Sequence, residues 1–465
     1  MKKVNVITHK ILKVGLIAVL ITLMASCEKW IDPEMNIDPD APGDVPISLL
    51  LPAIQQSMGY VLMGNNTVRT TNIWMQIYDG VERQSHTEAR YQLTAADVNN
   101  PWNSVYNENL INTKILIAKA EEQESPYNAG VGKVMTAYSL ALMSDLWGDI
   151  PYTDALQGTE NVLEPLFDTQ EQIYNSVFSL LDAAVSDLSQ DPANNLIDIE
   201  SDVIYGGDVE AWLNAARAIK ARAELQLSKK NGAAAYNNAL ALTNAFSSNG
   251  DDMEVPFSSS QQNPLYQFME QRTDIRMCQV LIDELEVTAD PRIPFYAAPD
   301  GNGSYTGSVP GGENASASWP GPYQASDDSP TVLISYAELK FIEAEAAFQT
   351  GDRVRAATAY KAGVAASVLK VTGDANQAWL DANIETEIDA TITLEKIIMQ
   401  KRHALVSQVQ PYSDWRRTGI PSLSMAIGST KTEIPRRFPY PQDEIVYNPN
   451  VPSIGSIIDP VWWDQ

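Results

Sequence analysis

Ser335-Tyr336-Ala337-Glu338-Leu339-Lys340-Phe341-Ile342-Glu343-Ala344-Glu345-Ala346 runs through Thr350 into Gly351-Asp352. Ala356-Ala357-Thr358-Ala359-Tyr360-Lys361-Ala362-Gly363 follows. Apolar residues return every three to four positions on both sides of Gly351, the spacing of one helix face. Glycine ends a helix readily because it adopts a left-handed backbone. The alanines let two antiparallel helices approach closely. This stretch therefore predicts a helical hairpin, with helices over 335–350 and 352–371.

The same texture appears upstream. Ala216, Ala218, Ala221 and Ala223 precede Asn231-Gly232, and Ala233 to Ala235 follow. Periodicity places further helices at 46–60, 66–78, 103–120, 130–147, 208–229, 233–246 and 394–408. Another covers 169–188, opening after Asp168-Thr169, a good capping pair. Close-packed hairpins with short glycine turns are how tetratricopeptide-like repeats are built. No strict period of about 34 residues is present, and ordinary amphipathic hairpins produce the same texture. The fold class is mainly α.

The amino terminus carries a different signal. Lys2, Lys3, Lys10 and Lys13 precede an apolar run from Val14 to Met24. That run is shorter than the roughly 20 residues a bilayer span needs, and it fits a secretory signal. Leu23-Met24-Ala25-Ser26-Cys27 resembles a lipobox, with Met24 departing from the usual pattern. Residues 1–26 are then a lipoprotein signal peptide, and Cys27 carries the lipid, palmitate included. A plain signal peptide is the alternative. Residues 27–45 hold Asp32-Pro33, Asp38-Pro39 and Ala41-Pro42-Gly43, which favour an extended tether. Residues 46–465 form the main domain. A lipidated Cys27 leaves Cys278 without a disulfide partner, and Cys278 reads as a buried thiol in a helix over 275–286.

Charge and composition narrow the function. The 465 residues carry a formal net charge of −27, which repels phosphate backbones and disfavours nucleic acid as a partner. Residues 297–330 are rich in Gly, Pro, Ser and Asn, a long irregular insertion in a helical chain. Such loops are often functional, and this one carries Tyr305, Trp319 and Tyr323. Sugar rings stack their C–H faces on such aromatics, so these three are candidate ligand residues, with loop packing as the plain alternative. Trp74 and Tyr78 lie one predicted helical turn apart. They either share a ligand face, with Gln76, Asp79, Glu82 and Arg83 as polar partners, or sit in the core. Trp102, Trp147 and Trp212 read as core.

Signals for chemistry are weak. His86 and His403 lack metal-ligand spacing. Asp300, Asn302 and Ser304 open like a calcium loop, but Tyr305 and Gly311 stand where glycine and glutamate are needed. No metal, cofactor or catalytic residue is expected. A nucleophile elbow is missing from the sequence, and no carboxylate pair stands out among many acids.

Four stretches together resemble the SusD/RagB family, and more closely its second SusD-like branch. They are Asn36-Ile37-Asp38-Pro39-Asp40 with Leu50-Leu51-Pro52-Ala53; Asp145-Leu146-Trp147-Gly148-Asp149-Ile150-Pro151-Tyr152; Gln400-Lys401 with Asp414-Trp415-Arg416-Arg417-Thr418-Gly419-Ile420-Pro421; and Arg437-Phe438-Pro439-Tyr440-Pro441 with Glu444 and Asn448-Pro449-Asn450. The residues themselves read as scaffold. Gly148 and Pro151 stop a helix, Asp145 and Asp149 suit turn amides, and Arg416 and Arg417 suit a helix carbonyl end. The resemblance implies a helical SusD-like fold with tetratricopeptide-like hairpins and the irregular insertion on the ligand side. It implies a lipid-anchored, surface-exposed outer-membrane protein that captures glycan or oligopeptide nutrients for a SusC-like transporter, without catalysis. Gln400-Lys401-Arg402-His403 departs from the starch-binding branch, so starch is not assumed. A surface hydrolase and a helical-repeat adaptor without a ligand are the rival readings.

Overall fold

A computed structural model describes residues 45–64 and 66–465. Cys27, the signal segment and nearly all of the tether lie outside the described residues. Ile47–Gln465 forms one compact unit.

The 335–363 hairpin is built as its residues dictate. Ser335 caps Tyr336–Thr350 by accepting from the Glu338 amide at 3.2 Å. Gly351 ends that helix at φ 91°, and Asp352 caps Arg353–Thr372 by accepting from the Arg355 amide at 3.0 Å. Phe341 and Ala344 bury against Ala357, Tyr360 and Val364. The alternating glutamates have separate partners. Glu338 pairs with Arg222 at 2.6 Å, Glu343 with Arg355 at 2.7 Å, and Glu345 with Arg417. Alanines thus bring the helices together while acids reach arginines on other elements.

Helices Ile111–Glu122, Pro126–Trp147, Gln170–Leu188, Val209–Gln226 and Ala233–Leu240 pack sequentially in the same manner. Thr169 and Gln172 cap the Gln170–Leu188 helix reciprocally, which is the arrangement expected of a capping box. The fold is mainly helical, and the strands among the described residues are short. They are β1 (Tyr78–Gly80), β2 (Met253–Val255), β3 (Ile275–Met277) and β4 (Thr331–Ile334), paired antiparallel as β1–β3 and β2–β4.

The second and fourth of the family-like stretches meet in one core. The Trp147 indole donates to Pro439 O at 2.8 Å and packs edge-on to Phe438. Phe438 N donates to Leu146 O at 2.7 Å, and Tyr440 hydroxyl to Asp149 O at 2.9 Å. Lys401 and Arg417 both hold Asp414. Trp102, Trp147 and Trp212 are buried, as expected.

Several local expectations change. The helix expected over 66–78 ends at Trp74. The chain turns through Gln76 at φ 56° and enters β1 at Tyr78, so Trp74 and Tyr78 share no helical face. The helix expected over 275–286 begins only at Gln279, because residues 275–277 pair with β1; Cys278 is buried at the junction. Asp145 accepts from Tyr174 hydroxyl at 2.6 Å and the Trp463 indole at 2.8 Å rather than from turn amides. Arg416 donates to Asp145 O and stacks on Tyr412 and Trp463, away from its own helix end. In each case a distant segment supplied a better partner than the local one.

Candidate functional site

The irregular insertion is fastened to the β1–β3 pair. Asp79 on β1 stands opposite Arg276 on β3. Its carboxylate accepts from Ser308 hydroxyl and, at 2.7 Å, from the Gly311 amide. Burial raises the Asp79 pKa, and these hydrogen bonds oppose the rise. Asp79 therefore clamps the loop instead of facing ligand.

Arg276 is buried on the neighbouring strand. It donates to Ala315 O at 2.9 Å and to Thr273 O and Ile275 O at 2.7 and 2.8 Å. Its guanidinium lies 5.1 Å from the Trp319 ring centre. Burial lowers the Arg276 pKa, while Glu82 and Asp274 nearby counter that. Trp319 is also held through its backbone. Trp319 O accepts from Ala298 N at 2.9 Å, and Ser318 O accepts from Met277 N at 2.8 Å. Trp319 remains 37% exposed, an aromatic residue on a fixed base.

A charged rim adjoins it. Arg83 pairs with buried Asp274 and, at 3.1 Å, with Glu82. Asp274 immediately precedes β3, which carries Arg276, so Arg83 and Trp319 are anchored by neighbouring residues of one segment. Arg90 and His86 both engage Glu313 of the insertion, His86 at 2.9 Å. Tyr305 is half-buried beside a loop closed on itself, where Asp300 accepts from the Asn302 and Ser304 amides at 2.8 and 3.0 Å.

Tyr323 turns inward. It packs edge-on to Tyr296 at 5.7 Å and lines a small cavity of ≈ 40 Å³ with Arg69 and Ser407. Trp74 and Tyr78, offered as ligand residues, are core instead. Trp74 donates to Glu88 O at 3.1 Å and packs on Tyr412 and Phe438. The structure thus places Trp319 against Arg276, pairs Arg83 with Asp274, and leaves Trp74 and Tyr78 inside. Arg276 was missed from sequence. Its signal was the alternation Ile275-Arg276-Met277, which a helical reading passed over.

A larger groove of ≈ 530 Å³ lies elsewhere, against Ile111–Glu122 and the 152–157 loop. Its lysines are engaged: Lys133 by Glu121 and Asp187, Lys114 by Leu156 O. Among the described residues no group of three His, Cys, Asp or Glu side chains is placed to hold a metal ion.

Comparison with known proteins gives a consistent outcome. Residues 39–441 match the SusD-like family described as starch-binding and associating with the outer membrane. A solved chitin-binding protein is 25% identical with a TM-score of 0.77, covering 90% of this chain and 100% of that one. A chitin-binding SusD homolog from Flavobacterium johnsoniae is 21% identical with a TM-score of 0.77, covering 90% and 98%. A SusD/RagB family protein from Bacteroides thetaiotaomicron is 22% identical with a TM-score of 0.76, covering 90% and 99%. No curated protein matches the chain.

Proposed function

This chain belongs to the SusD/RagB family, in its SusD-like, outer-membrane-associated branch, and on that premise we propose that it captures glycan on the Trp319 face for a SusC-like transporter. Cys27, lipidated, anchors it to the outer membrane with the domain exposed at the cell surface. It binds and releases its ligand without turnover.

The observation that carries this reading is the part-exposed indole of Trp319, seated on buried Arg276 beside the Arg83–Asp274 pair. An aromatic plane with adjacent charged groups suits a sugar ring, whose C–H face stacks while its hydroxyls take hydrogen bonds. Tyr305 and Tyr323 belong to the same insertion, Tyr305 as a second contact and Tyr323 as support. Similarity in shape to two chitin-binding proteins favours glycan over oligopeptide.

The test is titration of the purified mature domain with chitin oligosaccharides, starch oligosaccharides and mixed oligopeptides. Saturable glycan binding, lost in Trp319→Ala and without product formation, supports the proposal. Binding of peptides alone, or release of hydrolysis products, overturns it.

A further inference from the structure

A second surface lies on segments remote in sequence from the insertion. Leu163 and Leu166 are exposed on the segment that leads into the Gln170–Leu188 helix, Leu163 at 74%. Ile445, Val446 and Tyr447 are exposed on the short helix Gln442–Tyr447, Tyr447 at 75%. That helix buries none of its residues.

The two segments are stapled together. Asn448 donates its side-chain amide to Pro165 O at 3.0 Å, and Asn450 donates to Glu164 O at 2.9 Å. Beneath them Phe167 packs edge-on to Tyr440 at 5.4 Å and stacks on Trp102 at 6.2 Å. The apolar side chains therefore stand on a firm floor. Exposing several large apolar groups together is unfavourable in water, and such a patch marks an interaction surface.

The surrounding charge selects the occupant. Residues 157–169 and 438–451 contain Glu160, Glu164, Asp168, Asp443 and Glu444, and no lysine or arginine. Asp168 is buried, accepting from the Tyr152 and Thr153 amides at 2.9 Å each. Glu160, Glu164 and Asp443 are exposed. Two-fold pairing of this patch with a second copy would set acid against acid. An anionic lipid surface would be repelled for the same reason. A protein with an apolar face edged by lysine or arginine satisfies both features.

We propose that Leu163, Leu166, Ile445, Val446 and Tyr447 form a docking surface for a protein partner whose apolar contact face carries a basic rim. Tyr447 is its centre, an aromatic of the kind that dominates interface energetics.

The experiment uses the full-length protein in its own cells, with a photo-cross-linking amino acid at position 447. The expected result is an adduct to another polypeptide through a peptide in which apolar residues are flanked by lysine or arginine. Its yield falls several-fold in Leu163→Ser/Val446→Ser, and also in Glu164→Lys, while Glu164→Gln has the smaller effect. Purified variants should keep wild-type thermal unfolding, because every altered side chain is exposed. No adduct, an adduct to lipid or to a second copy, or a partner peptide without basic residues overturns the proposal. So does a yield indifferent to Glu164→Lys.

Discussion

Arg276 places its guanidinium 5.1 Å from the ring centre of Trp319 while donating to three backbone carbonyls. The cation is thus fixed before any ligand arrives, and it fixes the indole in turn. A cation over an aromatic face contributes ~0.5–2 kcal/mol depending on solvation. Trp319→Ala should weaken glycan binding by about tenfold or more, the equivalent of ~1.4 kcal/mol. Arg276→Ala should weaken it less and broaden the orientation of Trp319. Calorimetric titration of both variants checks the order, which reverses if Arg276 itself carries the ligand.

Trp74→Ala should act on stability rather than on binding. The indole is fully buried between Tyr412 and Phe438. Truncating a buried tryptophan costs about 3–5 kcal/mol. Denaturant unfolding should show that loss, while the folded protein retains wild-type glycan affinity. A large affinity change without a stability change would restore Trp74 as a ligand residue.

Asp79→Ala should loosen the insertion. Ser308 hydroxyl and the Gly311 amide lose their acceptor, and an unpartnered buried donor costs about 1–3 kcal/mol. Hydrogen exchange should quicken across residues 306–319, with β2–β4 unchanged. Glycan affinity should fall with it, since the same stretch carries Trp319.

Two glutamates, Glu88 buried and Glu284 partly buried, should shape the pH dependence in opposite senses. Burial raises Glu88 from 4.5 to about 7, against the opposing charge of Arg69. Its folded form holds the proton more tightly, so this contribution is greatest below about 4.5 and declines as pH rises through about 7. Burial also pushes Glu284 upward, but Arg402 and His403 outweigh it and bring the group to about 2. That contribution is present above about 4.5 and is lost as pH falls towards 2. Glu88→Gln should flatten the decline in melting temperature between about 4.5 and 7. Glu284→Gln should lower stability at neutral pH and remove the acid-side loss below about 4.5. Melting curves across pH read both.

The hairpins were legible because periodicity and caps are local. Ser335, Gly351, Asp352 and Thr169 act within a few residues of themselves, and the structure uses each of them so. Residues 66–78 were not legible in full. Their apolar spacing continues past Trp74, and only the pairing of Tyr78 with Met277 makes the chain leave the helix. The same pairing ended the helical expectation for 275–277. A strand of three residues has too few positions to state its period.

Sequence alone determined the helical class, the hairpin at Gly351, the aromatic-bearing insertion and the motifs that meet in the core. Those follow from steric and hydrogen-bonding preferences felt over one or two turns. Tertiary structure decided which aromatics face water. Trp319 and Trp74 are the same residue type in aromatic-rich surroundings. One is held at the surface by an arginine from β3, and the other is enclosed by Tyr412 and Phe438, more than three hundred residues away in the chain. Exposure depends on what arrives from elsewhere, and no local pattern encodes that.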